Sequence, residues 1–195
     1  TLDLMRRRWL VIVLLLLSVG INYVDRGNLS IAAPAVSAEL SLRPDQMGLL
    51  LSAFFWTYAL CQMLAGWLID RYNVYWVYGA GFFLWSAATA ATGLAGGFTS
   101  IFVMRLLLGI GESVSYPACS KIIASDFPEE RRGLANSLVD VGGKGGPAVS
   151  TIIGALMIAA YGWRVFFLAL GLGAMLWLIP WFLVAPRPAR RLAAC

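Results

Sequence analysis

The first long apolar stretch of the chain, residues 9–33, reads WLVIVLLLLSVGINYVDRGNLSIAA. About 20 consecutive apolar residues in a helix cross the roughly 30 Å hydrocarbon layer of a bilayer, so this stretch is long enough to span a membrane. Two adjacent charges, Asp25 and Arg26, interrupt it in its second half. A charge at the centre of a spanning helix costs about 2.5–3.5 kcal/mol on insertion scales, so the pair indicates a polar interior in place of lipid contact.

Five further apolar stretches of similar length follow the first. They cover about residues 46–69, 76–95, 99–122, 134–159 and 165–185. None alternates between apolar and polar residues with a period of two, as a barrel strand would. The sequence therefore predicts an all-α membrane protein with a bundle of six transmembrane helices over residues 9–185. Residues 1–8 are predicted as a cytoplasmic segment, and residues 186–195 as a cytoplasmic tail or the start of a linker to another half.

The composition excludes an ordinary soluble domain. Of 195 residues, 60% are hydrophobic and 13% are charged, and the mean hydropathy is +0.77, whereas soluble domains carry about 25% charged residues. The chain has no histidine, and its three cysteines show no CxxC spacing, so we expect no metal centre and no cofactor. The net charge of +5 does not indicate nucleic acid, because the basic residues lie at the ends of apolar stretches.

Arginines flank the predicted spans unevenly. Nine lie on one predicted side: Arg6, Arg7, Arg8, Arg71, Arg131, Arg132, Arg187, Arg190 and Arg191. Only Arg43 and Arg164 lie on the other side. Because cytoplasmic segments carry the excess of basic residues, we expect both termini in the cytoplasm of a multi-pass plasma-membrane protein, in bacteria the inner membrane.

Charged residues inside the spans form a balanced set. The six are Asp25, Arg26, Arg105, Glu112, Asp140 and Lys144. Three acids and three bases favour mutual pairing around a polar interior. An acid and an arginine occur together in the first span and again in the fourth, three spans later. This order predicts a 3+3 inverted repeat, a common plan of transporters whose substrate site lies near the bilayer midplane.

Spacing predicts how these groups pair. Arg105 lies at a depth where it can meet the charges of the first span, and Glu112, seven residues further on, projects from nearly the same face. Glu112 has no basic residue three or four positions away, which makes it a candidate for a protonatable group. Asp140 and Lys144 have the i,i+4 spacing of a structural ion pair.

Two tyrosines and a glycine-rich stretch also lie within the predicted spans. Tyr23 and Tyr58 either add hydroxyl groups to the polar cavity or pack in the core. Residues 142–146, GGKGG, lack the order of a phosphate-binding loop. We expect this glycine stretch to let two helices approach closely.

Several motifs together resemble one family. Residues 22–34, NYVDRGNLSIAAP, resemble the helix 1 signature of the anion:cation symporter family within the major facilitator superfamily. Residues 105–112, RLLLGIGE, with Pro117 and residues 127–131, FPEER, resemble its helix 4 signature. Residues 161–164, YGWR, resemble its marker after helix 5. The resemblance covers essentially the whole chain.

The resemblance implies symport of protons with a small organic anion, such as a hexuronate or an aldonate, by alternating access. It implies that Arg26 meets the substrate carboxylate and that Tyr23 and Tyr58 are neighbouring substrate contacts. A guanidinium fork suits this task, because it binds a carboxylate with two parallel hydrogen bonds.

The resemblance also implies roles for the remaining charges of the first and fourth spans. Asp25 and Glu112 match the carboxylates that take up and release the coupling proton. Arg105 matches the arginine that regulates Asp25.

Residues 66–76, GWLIDRYNVYW, resemble the gating motif after helix 2 of the superfamily. The stretch keeps the glycine, aspartate and arginine of the motif, Gly66, Asp70 and Arg71. Asn73 stands where glycine is usual, and Tyr75 and Trp76 replace basic residues. We therefore expect a weaker cytoplasmic latch.

The family has twelve helices, so six would require a partner, either a C-terminal half of the same chain or a second copy. One alternative function is an exchanger or facilitator of an aromatic or dicarboxylic acid. Another is a non-transporting membrane receptor or assembly subunit, for which six charges inside the spans are excessive. Enzymatic activity is not expected, because Ser113 and Ser115 have no histidine partner and no other set of acid, base and nucleophile occurs.

Overall fold

The computed structural model describes residues 2–184, with side chains from Arg7 onward, and each element in this range is an α-helix. The predicted tail at 186–195, with three of the nine arginines, lies outside the described residues. The helices are α1 (Leu2–Leu40), α2 (Pro44–Arg71), α3 (Val74–Thr92), α4 (Phe98–Glu112), α5 (Ser115–Asp126), α6 (Glu129–Met175) and α7 (Leu178–Val184).

These helices form six rods, as the sequence predicted. A short turn at Ser113 and Val114 separates α4 from α5, which together make the fourth rod. A break at Gly162 divides α6 into two rods, and α7 continues the second of them. Within the described residues, four helical stretches are long and apolar enough to cross a membrane: Arg7–Leu40, Pro44–Arg71, Phe98–Asp126 and Glu129–Val184.

The end of α1 lies beyond its predicted position. The sequence predicts that the first span ends near Ala33, but α1 continues through Pro34 to Leu40. Proline removes one helical hydrogen bond, a loss that tertiary packing can offset. Val36, beyond the proline, is fully buried, so its burial stabilises the additional helix.

The break at Gly162 depends on its backbone conformation. Its φ of 83° and ψ of 161° form a combination that residues with a side chain rarely adopt. After the break, Trp163 Nε1 and Arg164 Nε donate to the carboxylate of Glu39 at 2.6 and 2.9 Å. Arg164 Nη1 also donates to the carbonyl oxygen of Ala95 at 2.8 Å. These bonds join the last turn of α1, the segment between α3 and α4, and the part of α6 just after its break. They lie at one end of the bundle, which we call the Glu39 end.

Glycines bring α1 and α6 together. A Cβ atom on Gly142 would lie 2.2 Å from the carbonyl oxygen of Leu16, and one on Gly146 would lie 2.5 Å from that of Gly20. Real side chains do not tolerate such distances, so the two backbones touch because these residues are glycine. The prediction that the glycine stretch lets helices approach closely is confirmed.

Buried apolar side chains form two clusters along the bundle. The smaller one lies toward the Glu39 end and includes Leu29, Leu50 and Phe167. The larger one lies toward the opposite end, which we call the Asp70 end, and includes Leu15 and Trp181. Buried polar residues occupy α1 between the two clusters: Asn22, Asp25 and Asn28. The fold therefore holds a polar region inside an apolar bundle.

Candidate transport site

An ion pair between α1 and α4 lies in this polar region. Arg26 Nε lies 2.9 Å from Glu112 Oε2, although the residues are 86 positions apart. The Glu112 side chain is fully buried, and that of Arg26 is 19% exposed. The sequence left Glu112 without a basic neighbour on its own helix, and the fold supplies one from α1. The arginine predicted to hold substrate is held here by a carboxylate of the protein.

Aromatic rings surround the Arg26 guanidinium. Its Cζ lies 5.1 Å from the ring centre of Tyr23, 5.4 Å from that of Phe54 and 4.6 Å from that of Tyr58. Ring faces attract cations at such distances, and more strongly where water is excluded. The structure therefore brings both predicted tyrosines to Arg26. Phe54 was missed, although it lies one helical turn before Tyr58.

The hydroxyl groups of the two tyrosines have different partners. Tyr23 and Tyr116 share a hydrogen bond of 2.5 Å. Gln62 Nε2 donates to the Tyr58 hydroxyl at 3.4 Å. The sequence does not predict Tyr116 and Gln62 as site residues, because their part in the site depends on how α2 and α5 turn toward α1.

Part of the hydrogen-bonding capacity of the ion pair is unused. Arg26 Nη2 and Glu112 Oε1 are both buried, and neither has a hydrogen-bond partner in the structure. Leaving such atoms unpaired is unfavourable. The guanidinium therefore has a free edge while its Nε is engaged.

Asp25 lies one residue from Arg26 but turns away from it. Its side chain is fully buried, and its Oδ1 accepts hydrogen bonds from Asn28 Nδ2 at 3.2 Å and from Thr89 Oγ1 at 3.0 Å. Its Oδ2 has no partner. Asp25 thus forms a second carboxyl centre, directed toward α3.

Arg105 reaches Asp25 through the backbone. It donates from Nη1 to the main-chain oxygen of Asp25 at 3.5 Å and from Nε to that of Leu50 at 3.3 Å. Between residues 7 and 184, the ion pairs within 4.0 Å do not include one between Arg105 and the Asp25 carboxylate. The expected meeting of α1 and α4 occurs, but the partners differ, because the Asp25 side chain is directed toward Thr89.

The structure does not bring Asp140 and Lys144 together. Both are exposed on α6, and no ion pair within 4.0 Å joins them in the described part of the chain. Gly142, two positions from each, faces α1. Two positions correspond to about 200° around a helix, so both charges lie on the side away from α1.

The residues of the predicted gating motif lie at the Asp70 end. Lys121 Nζ lies 2.8 Å from Asp70 Oδ1 and donates to the carbonyl oxygen of Ile69, also at 2.8 Å. Lys121 is a further charged residue near the end of the predicted fourth span, beyond the six named from the sequence. Arg71 is exposed, and a Cβ atom on Gly66 would meet nothing within 4 Å.

The residues that depart from the gating motif have contacts of their own. Asn73 caps α3, because its Oδ1 accepts from the backbone nitrogen of Tyr75 at 2.9 Å. The Tyr75 hydroxyl donates to the carboxylate of Asp126. These bonds fix the start of α3 and join it to α5 where basic residues were expected.

The helical bundle and its buried charges define the class of the protein: a membrane protein with a charged site between its helices. Residues 5–194 match the Major Facilitator Superfamily, and the chain belongs to that family. The D-galactonate transporter of Escherichia coli O6:H1 is 34% identical over 94% of this chain and 43% of its own length. The hexuronate transporter of Bacillus subtilis is 34% identical over 88% and 41%. The family and these relatives are transporters and not enzymes, as predicted.

Solved structures confirm the all-helical fold. A bacterial homologue of the human lysosomal transporter Spinster, in an inward-facing and unoccupied conformation, superposes with a TM-score of 0.84 at 24% identity. The match covers 94% of this chain and 44% of that one. The chain thus spans about two fifths of the length of the relatives that it matches.

Proposed function

We propose that this chain is the N-terminal half of a proton-coupled symporter that carries a small organic anion by alternating access. The proposed substrates are sugar acids such as hexuronates and aldonates, the classes named for the relatives at 34% identity. We also propose that both termini are cytoplasmic and that the membrane is the plasma membrane, in bacteria the inner membrane.

The observation that carries this proposal is the state of Arg26. Its guanidinium lies among three aromatic rings, its Nε is bound to Glu112, and its Nη2 is buried without a partner. A carboxylate binds best when it engages two nitrogens of the fork. A substrate carboxylate would therefore compete with Glu112 for the same arginine.

This competition gives a mechanism for coupling. A proton bound to Glu112 removes its charge and releases Arg26 to the substrate carboxylate. Loss of that proton returns Arg26 to Glu112 and favours release of the substrate. Asp25, the fully buried residue that precedes Arg26, provides the second carboxyl group, and Arg105 holds the backbone of α1 beside it.

In the proposed transporter, a second bundle of helices forms the opposite wall of the cavity. Alternating access requires a second bundle to move against this one, and the chain covers 43% of the D-galactonate transporter. A C-terminal half of the same protein is the proposed partner, with a second copy of the chain as the other arrangement.

Uptake into liposomes containing the complete transporter tests the proposal. An inward proton gradient should drive accumulation of a hexuronate or galactonate above the external concentration, and aromatic and dicarboxylic acids should be poor substrates. Counterflow without any effect of the gradient would indicate an exchanger or facilitator. The absence of both uptake and binding would contradict a transport role.

A further inference from the structure

Unpartnered polar atoms are concentrated in one layer of the bundle. On one side of this layer, Asp25 binds Thr89 at 3.0 Å. On the other side, Ser18 and Tyr78 share a hydrogen bond of 2.6 Å. Between these two bonds, α1 and α3 run in the same direction with little backbone contact, and polar atoms of Asn22, Trp85 and Ser86 have no hydrogen-bond partner.

Helical position places Asn22 and Glu112 at this level. Asn22 lies four residues after Ser18 and three before Asp25 on α1. Glu112 lies midway between Arg105 and Cys119, seven residues from each. Arg105 contacts the Asp25 backbone, and Cys119 Sγ lies 4.0 Å from the Tyr78 hydroxyl. Glu112 therefore lies at a depth between the two bonds. On α3, the layer falls at the turn that holds Trp85 and Ser86, between Tyr78 and Thr89.

The side chains of this layer are fully buried. They are Asn22, Trp85, Ser86, Glu112 and Ser115, each 0% exposed. Their unpartnered atoms are Asn22 Oδ1 and Nδ2, Trp85 Nε1, Ser86 Oγ, Glu112 Oε1 and Ser115 Oγ. A buried polar atom that stays unpaired is unfavourable. The set contains donors and acceptors, and protein interiors satisfy such groups with ordered water.

We infer that this layer is a binding site for a small cluster of ordered water, centred on the amide of Asn22, that links the carboxyl groups of Asp25 and Glu112. Asp25 Oδ2 and Glu112 Oε1 are the carboxyl oxygens without a partner. Glu112 Oε2 is bound to Arg26, so Oε1 is the oxygen left for water.

The role of this cluster rests on the proposed function. A proton that leaves one carboxyl group binds the nearest water, and a water at the other end gives one of its own protons to the second carboxylate. Each water is again H₂O after the transfer, and no other reactant is needed. The titratable or charged groups next to the layer include Asp25, Arg26, Tyr78, Arg105, Glu112 and Cys119. From α6, the charge of Asp140 also acts on Cys119. Asn22 is thus a positioning residue that holds the water between the two acids.

Radiolytic footprinting of the complete transporter tests the water site without a transport assay. An X-ray pulse converts bound water into hydroxyl radicals, which oxidise adjacent indole rings that bulk solvent does not reach. Trp85 is the reporter, and Trp181 is the matched control. Both are 0% exposed, but Trp181 Nε1 is bound to the Tyr75 carbonyl oxygen at 2.9 Å. Several-fold more oxidation at Trp85 supports the site, and equal oxidation of the two overturns it.

Substitutions then locate the water. Asn22→Leu should reduce oxidation of Trp85 to the level of Trp181, whereas Asn22→Ser, which keeps a polar group, should retain it. Thr92→Val is the control, since the hydroxyl of this buried residue bonds within its own helix, to Ala88. If Asn22→Leu does not fold, Ser115→Ala should give a smaller loss of oxidation. Unchanged oxidation in both variants overturns the inference.

Transport separates the role of the cluster from the proposed function. Asn22→Leu should retain substrate counterflow but lose most of the accumulation driven by a proton gradient, with Thr92→Val at the wild-type level. Wild-type accumulation in Asn22→Leu overturns the link between the two carboxyl groups. If the unsubstituted transporter shows no gradient-driven uptake, the proposed function fails, while the oxidation of Trp85 still decides whether the water site exists.

Discussion

At the scale of single residues, the proposed function gives Arg26 two competing carboxylate partners, Glu112 and the substrate. Its Nε binds Glu112 at 2.9 Å, while Tyr58 presents its ring 4.6 Å from the guanidinium carbon. The rings keep the cation in place when its carboxylate partner changes, because attraction to a ring face does not require the Glu112 charge. Arg26 is therefore suited to exchange one carboxylate for another.

Substituting Arg26 by lysine tests the need for a fork. Arg26→Lys keeps the charge but replaces the planar donor set by a point donor. We expect sugar-acid affinity to fall by about ten- to a hundredfold, because a hydrogen bond to a charged group contributes about 1.5–3 kcal/mol. Equilibrium binding to the complete transporter is the measurement. Arg43→Lys is the control, since Arg43 is exposed and pairs with Asp45. Unchanged affinity in Arg26→Lys would remove Arg26 from the site.

At the scale of helices, the contact between α1 and α6 sets the geometry of the site, because α1 carries both Asp25 and Arg26. Gly142 leaves no room for a side chain against Leu16, whereas Gly133 on the same helix has nothing within 4 Å of a Cβ position.

Gly142→Ala should lower the free energy of unfolding by about 1–3 kcal/mol through overpacking. Gly133→Ala should raise it by about 0.5–1 kcal/mol. Thermal unfolding of the two variants in detergent is the measurement, and equal shifts would contradict the close contact.

The sequence predicts the helices and the buried charges of this arrangement but not which charges pair. The six rods follow from apolar length, and Asp25, Arg26 and Glu112 stand out because charges inside a span are costly. The choice of partners does not follow, because it depends on how each helix is rotated. Arg26 reaches Glu112 only since α4 turns that face toward α1. The ion pair of Lys121 with Asp70 is not predicted either, because the two residues are 51 positions apart and lie on different helices.

At the scale of the whole molecule, orientation in the membrane remains a prediction from the arginine count. Ala38 is exposed near the Glu39 end, and Ser125 is exposed near the Asp70 end. In a cysteine-free background, Ala38→Cys should react with an impermeant thiol reagent on intact cells, and Ser125→Cys should react only after permeabilisation. The reverse pattern would show that both termini face outward.

The proposed coupling mechanism depends on the charged region between the two apolar clusters. Two apolar clusters hold the ends of the bundle, and in the proposed mechanism the charges between them change partners when a proton or substrate binds. Burial makes this exchange effective, because charge interactions are stronger where water is excluded. One carboxyl group is central to the proposed coupling: Glu112, which is fully buried and bound to Arg26.

Glu112→Gln in the complete transporter tests whether this carboxyl group couples the proton to transport. Glutamine keeps the shape of the side chain but has no charge to hold Arg26 and no proton to release. In liposomes, the variant should retain substrate counterflow and lose accumulation driven by an inward proton gradient. Glu130→Gln, at an exposed position, should behave as the unsubstituted protein. Gradient-driven accumulation at the unsubstituted level in Glu112→Gln would contradict the account.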